Sequence, residues 1–490
     1  MFHSARITPL IPRRAELWAV CVYHWRRTAM NRLLKSSRPL VCGLKLALLF
    51  CSGVLAGCAT FSADGGFDRV ADTTRTELGK NLTWPRTAAE RAKRDAEVAG
   101  LLAHPLGVED AVQLALLNNH ALQASFEQLG ISEADLVQSG RLPNPRFTLR
   151  DSSADGLYDI EQTLTFNVLA LITYPYAHAT EKRRFAEVQD ATVVAVVQLA
   201  DRTRTAYFTA LAARDSLHYA WQVKDAAETS AELAHRMLGA GNWNRLDQAR
   251  QQGFYVEAMQ ALARAQLADA RARAELDAVL GIADARQDVQ LAAQLPDLPT
   301  NIVSLPDIET TALNRRIDLK MMRTELDELA RRLRLTAATR FVNVLDGGAT
   351  RVRQGTRDSP FEHGYEVSLE IPIFDTGAAR VRKAEARYAQ AAERFSQAAI
   401  EARSEVRKAA EAYRVAYEMA VREHEEFIPL HKQIIKQDVL RYNASLISVF
   451  ELLADARAEI SGVDDYIQSV RDFWIARSHL DTAMLAAAAP

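Results

Sequence analysis

The chain has 490 residues, with 60 Lys and Arg against 62 Asp and Glu and a formal net charge of −2. So even a balance offers no basic field for nucleic acid, while the length suffices for a sizeable core or an elongated assembly. The four cysteines, Cys21, Cys42, Cys51 and Cys58, all lie in the first 58 residues, so the rest of the chain holds no disulfide and no thiolate metal site.

Residues 1–29 carry Trp18, Trp25 and an Arg-Arg pair without periodicity and read as an upstream extension, with Met30 as the start. Over 30–57, basic Arg32, Lys35 and Arg38 precede an apolar run from Leu40 to Gly57. That order is a secretory signal, and the run is short for a membrane span. The alternative is a short transmembrane anchor. Leu55-Ala56-Gly57-Cys58 resembles the lipobox of bacterial lipoproteins. The resemblance implies that Cys58 receives a lipid and becomes the new N-terminus, and that Ala59, where inner-membrane retention favours Asp, directs sorting to the outer membrane. No later apolar run approaches the ~20 residues of a spanning helix. A chain held at a membrane would then cross it only as a closed β-barrel.

After an N-terminal segment, 58–105, the chain repeats itself. Leu116 faces Leu313 at an offset of 197, Phe185 faces Tyr388 at 203, and Asp247 faces Glu451 at 204. A nearly constant offset marks a duplication of 106–294 in 307–490, joined by a Pro-rich linker over 295–306. Each half reads helix, strand pair, long helices. Ala177 to Leu238 has no Gly or Pro and predicts a helix of roughly 93 Å. Gly377 to Leu440 is similar, with Pro429 predicted to kink or divide it. Val406, Ala410, Tyr413, Tyr417 and Ala420 form a coiled-coil seam. Val193, Val197, Ala200, Tyr207 and Leu211 form its counterpart, broken at Arg204.

Tyr365–Ile371 and Thr163–Val168 alternate apolar and polar residues as strands with two unlike faces do. Two less regular strands are predicted near 146–150 and 340–345. In a barrel, Val367 and Leu369 would meet lipid, and Glu366, Ser368 and Glu370 would line water. Four strands cannot close a barrel, which takes about eight at least, so several chains would share it.

Ala115-Leu116-Leu117-Asn118-Asn119, Leu142-Pro143-Asn144-Pro145, Ile371-Pro372-Ile373-Phe374-Asp375-Thr376-Gly377 and the segment Tyr442–Ala456 follow one another in the order seen in TolC-like outer-membrane efflux proteins. From about Leu106 to Ala487 the chain resembles that family, in its lipoprotein branch. The resemblance implies a mainly α protein with a small β part. Its homotrimer would form a twelve-stranded outer-membrane barrel above a periplasmic helical tunnel. It further implies a passive duct without cofactor or enzymatic activity. Its partners would be a periplasmic adaptor and an inner-membrane pump of the resistance-nodulation-division type, and its cargo small molecules or metal ions. Export of a secreted protein is the alternative within the class; a periplasmic coiled-coil adaptor or structural lipoprotein is the alternative outside it.

The same resemblance assigns the hairpin tips. Gly241, Asn242 and Trp243 in the first, with Ser445, Leu446 and Ser448 in the second, would dock the adaptor, and Asp247 and Glu451 would line the periplasmic gate. Solvated charges at helix starts are the plainer account of both acids. The family pattern departs at Ser445, where a glycine is usual; at Ala454, the place of a second acid; at Ile447, the place of a basic gate residue; and at Arg316-Ile317-Asp318, usually Arg-Pro-Asp. No His-Glu-x-x-His, Gly-x-Ser-x-Gly or phosphate-cradling loop is present. His424 and His431 read as helix surface rather than a metal site.

Overall fold

The computed structural model describes residues 60–282, 289–302 and 307–487. The signal region, Cys58 and residues 303–306 of the linker lie outside the described residues. Two helices come first, α1 (Phe67–Leu78) and α2 (Ala88–Leu102). The first repeat follows as α3 (Val108–Asn118), α4 (His120–Ser139), β1 (Arg146–Ala154), β2 (Leu157–Asn167), α5 (Val168–Gly239) and α6 (Arg245–Leu280). The second runs α7 (Ile308–Arg315), α8 (Ile317–Ala338), β3 (Leu345–Gly355), β4 (Glu362–Leu369), α9 (Ala378–Arg422), a π turn (Glu423–Phe427), α10 (Ile428–Asn443) and α11 (Val449–Ala483). Element for element, the second half repeats the first.

Helix α5 has 72 residues, about 108 Å at 1.5 Å per residue. It starts at Val168, before the expected Ala177, and so contains Pro175, whose missing N–H forfeits one hydrogen bond near the helix start. In the second repeat Pro429 does divide the helix. It stands in the first turn of α10, where its lack of an N–H is tolerated. The preceding π turn takes up the mismatch: the Ile428 N–H reaches back five residues to the Glu423 carbonyl. The widened turn pushes Phe427 against α11 at Gly462, where an added Cβ would stand 2.0 Å from the ring.

The first seam is buried, and of the second Val406, Tyr413 and Ala420 are buried while Ala410 and Tyr417 are half-buried. Val193, Val197, Ala200, Tyr207 and Leu211 are nearly inaccessible and belong to one large core with Leu114, Leu116, Phe126 and Leu276. Arg204 leaves that stripe to pair with Glu109 at 3.2 Å. In the second repeat Tyr413 packs on Phe473, ring centres 5.4 Å apart. Trp474 stacks on Phe208 of α5 at 5.7 Å and joins the two repeats. The linker lies against this seam: the Trp474 Nε1–H donates to the Pro296 carbonyl at 3.1 Å and the Tyr417 hydroxyl to that of Thr300 at 2.9 Å.

Each repeat is closed at the break between its two short helices. In the first, Asn119 turns the chain with φ −69° and ψ 117°. The Asn118 amide donates to the carbonyls of Leu280 and Gly281, and the Asn119 amide to that of Val279. These satisfy carbonyls that the end of α6 leaves open. In the second, Arg316 takes the same position with φ −55° and ψ 126°. Its guanidinium, 2% exposed, binds Asp318 at 2.7 Å and Glu405 of α9 at 2.6 Å. The Ile317 N–H donates to the Leu485 carbonyl beyond α11.

The four strands form one antiparallel sheet in the order β1-β2-β3-β4, with β1 and β4 as its edges. The third strand runs over 345–355 instead of the expected 340–345. The segment before it is held to the start of α9: Arg380 donates to the Arg340 carbonyl and also binds the Asn343 side chain. The second strand stops at Asn167, whose side chain caps α5 by accepting from the Ala170 N–H, so Val168 is helical and not part of the strand.

Candidate channel wall and entrance

Strand alternation gives the sheet two unlike faces. On one, Thr163 stands opposite Thr148 and Thr350, Glu161 opposite Arg150 and Val352, and Asp346 opposite Ser368. This face is concave and polar, lined by Arg146, Thr148, Arg150, Glu161, Glu366 and Ser368 among others. Arg150 pairs with Glu161 at 3.3 Å, and Thr163 bonds Thr350 at 3.1 Å. On the other face Phe147 stands opposite Leu164, Val367 opposite Gly347, and Leu369 opposite Leu345. Its apolar side chains are open: Phe147 is 63% exposed, Tyr365 93% and Val367 74%. Glu366 and Ser368 therefore share the polar face. Glu370 lies one residue past β4, where its N–H continues the pairing to the Val344 carbonyl and its carboxylate accepts from the Asn343 amide.

The sheet passes into the helices at a close crossing. Gly377 has φ +72°, and an added Cβ would stand 2.2 Å from the Arg340 carbonyl oxygen, so glycine alone fits there. Before it, Ile371, Ile373 and Phe374 are exposed apolar residues.

At the far end of the long helices the two hairpin tips share one geometry. In the first, the Asn242 N–H bonds the Met237 carbonyl five residues back, with Gly241 left-handed at φ +77°. In the second, the Leu446 N–H bonds the Arg441 carbonyl, with Ser445 left-handed at φ +57°. Both are helix ends closed by a left-handed residue, and Ser445 adopts the conformation that glycine holds in the other tip. Asn244 and Ser448 then cap α6 and α11, accepting from the N–H groups of Asp247 and Glu451. The two acids thus occupy the third position of their helices, where the dipole favours them. Asp247 has Arg250 at 3.8 Å, and Glu451 is exposed. Asn242, Ser445, Leu446 and Ser448 are exposed, and Trp243 is half-buried.

Sequence reasoning missed a carboxyl pair above the second tip. Asp438 of α10 is buried and faces Asp455 of α11, with no hydrogen-bond donor beside its Oδ2. A hydrogen bond shared with Asp455 raises the Asp438 pKa, and burial adds to the rise. Asp455 follows Glu451 by one helical turn, so a search at i+4 instead of i+3 would have found it. Farther up, Asp201 of α5 accepts from the Ser478 hydroxyl at 2.7 Å and His479 Nδ1 at 3.0 Å on α11. That bond raises the His479 pKa. His424 stacks on Tyr466, and His431 packs at a tilt against Phe427. Among the described residues no group of three or more His, Cys, Asp or Glu could hold a metal ion.

If Ser445 stands in a glycine conformation, Ser445→Gly should steady the second tip by about 0.5–1 kcal/mol, and Gly241→Ser should loosen the first by about 1 kcal/mol. Amide hydrogen exchange of the two tips reads both. Faster exchange in Ser445→Gly than in the wild type would contradict the left-handed assignment.

Comparison with known proteins agrees with this architecture. Residues 310–469 match the sequence model for the family described as outer membrane efflux protein. Over 277 residues the chain is 24% identical to the cobalt-zinc-cadmium resistance protein CzcC of Cupriavidus metallidurans. That match takes in 56% of this chain and 64% of CzcC, so the chain spans less than two thirds of that relative. Among solved structures, a membrane protein of Pseudomonas aeruginosa superposes with a TM-score of 0.67 at 18% identity, covering 82% of this chain and 95% of that one. The CmeC outer membrane channel of Campylobacter jejuni gives 0.65 at 14% identity, covering 82% and 89%. CusC gives 0.66 at 17% identity, covering 78% and 92%. At such identities the structures speak for the fold. With that fold over most of its described length and the match over 310–469, the chain is similar to outer membrane efflux proteins in fold and, in its second repeat, in sequence pattern.

Proposed function

We propose that three copies of this chain form a passive outer-membrane exit duct, fed by an inner-membrane pump of the resistance-nodulation-division type through a periplasmic adaptor. The sheet carries this reading: four strands with two open edges, one polar concave face and one exposed apolar face. An open four-stranded sheet cannot stand alone in lipid, because its edge N–H and C=O groups need partners. Edge β1 of one copy pairing with edge β4 of the next would supply them, and three copies would close twelve strands. The polar face, with Glu366 and Ser368, then lines water. The long hairpins continue that lumen into the periplasm. The similarity to a protein named for cobalt, zinc and cadmium resistance favours metal ions over organic compounds as cargo. Against the adaptor alternative stand two long hairpins and an amphipathic sheet, in place of one hairpin between β domains.

An arginine at mid-bilayer on the lipid face of such a barrel costs about 2–4 kcal/mol. Val367→Arg should therefore lower trimer yield in outer-membrane fractions sharply, and Ser368→Arg should leave assembly largely intact while changing conductance. Equal tolerance of both would refute the membrane-spanning assignment.

The lipid anchor at Cys58 belongs to the same proposal. Growth with labelled fatty acid should mark the wild type and leave Cys58→Ser unmarked. Label on both would remove the anchor and leave the barrel reading standing.

In this reading Glu451 forms a ring of three carboxylates at the periplasmic entrance, with Asp247 near it on the other hairpin. The exposed tip residues Asn242, Leu446 and Ser448 are the surface offered to the adaptor. A carboxylate ring attracts cations. Planar-bilayer recordings should show weaker cation preference in Glu451→Gln and stronger preference in Ala454→Asp, since Ala454 is exposed one turn farther along the same helix. Unchanged selectivity in both would mean that this face of α11 does not line the pore.

A further inference from the structure

The apolar face of the sheet changes character toward the β3–β4 turn. Along that face β3 presents Leu345, Gly347 and Ala349, and then Arg351 and Arg353. Both arginines stand beside one ring: the Arg351 Cζ lies 3.8 Å and the Arg353 Cζ 4.0 Å from the centre of Phe361. The two guanidiniums are thus within about 8 Å of each other, close enough for both to reach one phosphate, whose acceptor oxygens suit the arginine fork. Arg357, in the turn, lies 5.4 Å from the Tyr158 ring. The Arg353 Nη1–H donates to the Arg357 carbonyl at 2.9 Å, and this ties the turn to the strand. Arg353 Nε is buried and has no acceptor. None of the three arginines makes an ion pair among the described residues. Asp151 shares their face, but Ile160 stands between it and Arg353 in register. Glu362 pairs with Val352 and so falls on the other face.

Depth decides what such a cluster meets. Arg351 and Arg353 lie six and eight residues along β3 from Leu345, roughly 20 and 27 Å at ~3.4 Å per residue. With a strand tilt of about 40°, these are roughly 16 and 21 Å along the membrane normal, toward the far edge of an apolar band about 25 Å tall. Below them the face is apolar down to Leu369, with exposed Ile371 and Ile373 beyond. Uncompensated arginines inside hydrocarbon would be costly, but at its rim they meet headgroups. Stacking on an aromatic ring helps fix each guanidinium plane, with Arg353 Nη1 already engaged by the Arg357 carbonyl.

We propose that Arg351, Arg353 and Arg357, ordered by Phe361 and Tyr158, dock the phosphate groups of an anionic lipid in the outer leaflet. The site rests on the channel reading, which places the strand turns at the outer surface and this face toward lipid. Threefold assembly would repeat it three times around the barrel. Its charge complementarity with a phosphorylated headgroup, and the absence of a carboxylate partner among the described residues, commit it to that occupant.

The test is affinity of the purified full-length trimer for a bis-phosphorylated disaccharide lipid (lipid A), against the same lipid with its phosphates removed. Each basic group near an anionic surface contributes on the order of fivefold in binding. Arg351→Gln with Arg353→Gln should therefore weaken lipid A binding roughly 25-fold, and Arg357→Gln, in the turn and outside the ladder, roughly fivefold. The dephosphorylated lipid should bind wild type and variants alike. Arg150→Gln, on the polar face of the same sheet, should leave lipid A affinity unchanged, and inorganic phosphate should not displace the lipid. Equal affinity for the two lipids, an equal loss in Arg150→Gln, or displacement by inorganic phosphate would each overturn the proposal. Conductance in pure phosphatidylcholine bilayers separates the two layers of inference. A wild type that conducts but shows no preference for phosphorylated lipid loses only this site. A wild type that does not conduct loses the channel reading, and the lipid site falls with it. Retained conductance in the double variant shows that weakened binding is not misfolding; should that variant not conduct, the Arg357→Gln affinity decides the point.

Discussion

The structure depends on closing each repeat where two short helices meet the end of a long one. A helix of some seventy residues gains little from its tip, so its position must be set at the end where the chain enters and leaves. The end of α6 leaves carbonyls without intrahelical donors, and in the first repeat the Asn118 and Asn119 amides take three of these carbonyls. Gly281 ends that helix at φ +73°, and any Cβ there would stand 2.6 Å from the Asn118 carbonyl. Closure is therefore neutral and tight. In the second repeat the same position holds Arg316, almost wholly buried. A buried guanidinium is tolerated only with partners that offset its lost hydration, and Asp318 and Glu405 provide them. Glu405 belongs to α9, so this junction also fixes a long helix that the asparagine version reaches only by packing. The Ile317 N–H, which a proline in its place would lack, ties the junction to Leu485.

From these junctions the duplicated halves keep the same order of elements but differ in detail. At mid-length the first repeat keeps one unbroken helix, whereas the second inserts a π turn before Pro429 and receives Phe427 at Gly462. At the tips the hydrogen-bond pattern returns to equivalence, with a serine where the first repeat has a glycine. Backbone geometry has been kept while the side chains that hold it have changed. The Asp438–Asp455 pair follows the same logic. Its raised pKa means that the α10–α11 contact is best satisfied while a proton is shared, and that it weakens as pH rises through the raised value. Arg441, the one basic group acting on the pair, opposes that rise.

Much of this was legible in the sequence because it rests on period and length. The seams at Val193–Leu211 and Val406–Ala420, the offset near 200, and the division at Pro429 are all backbone or packing statements. The misses have physical causes as well. The third strand was placed too early because Gly347 and Gly348 lack side chains and Arg351 and Arg353 interrupt the apolar stripe, so no alternation shows over 345–355. Helix α5 begins earlier than expected because it runs through Pro175, eight residues in, at the loss of one hydrogen bond, where the sequence alone reads a stop. At the entrance Asp247 and Glu451 were found by their equivalent places. Their roles as third-position acids on capped helices explain them locally, and a pore role has to come from assembly. Asp438 was invisible because nothing in its own neighbourhood says that it faces a second carboxylate.

The two faces of the sheet carry the argument beyond a single chain. Tyr365, Val367, Phe147 and Phe374 are exposed to an extent that a water-soluble surface would not sustain as one patch, and the sheet edges at β1 and β4 present open backbone groups. Lipid removes the first difficulty and makes the second worse, because hydrocarbon offers no hydrogen bonds. Only closure answers both, and four strands are too few to close. The apolar stripe and the open edges are each a liability alone, and together they are the ground for the proposed shared barrel. Under the proposed closure the polar face would turn Glu161, Glu366 and Ser368 toward the barrel axis, and the arginines at the end of the apolar stripe would meet the proposed boundary between hydrocarbon and headgroups.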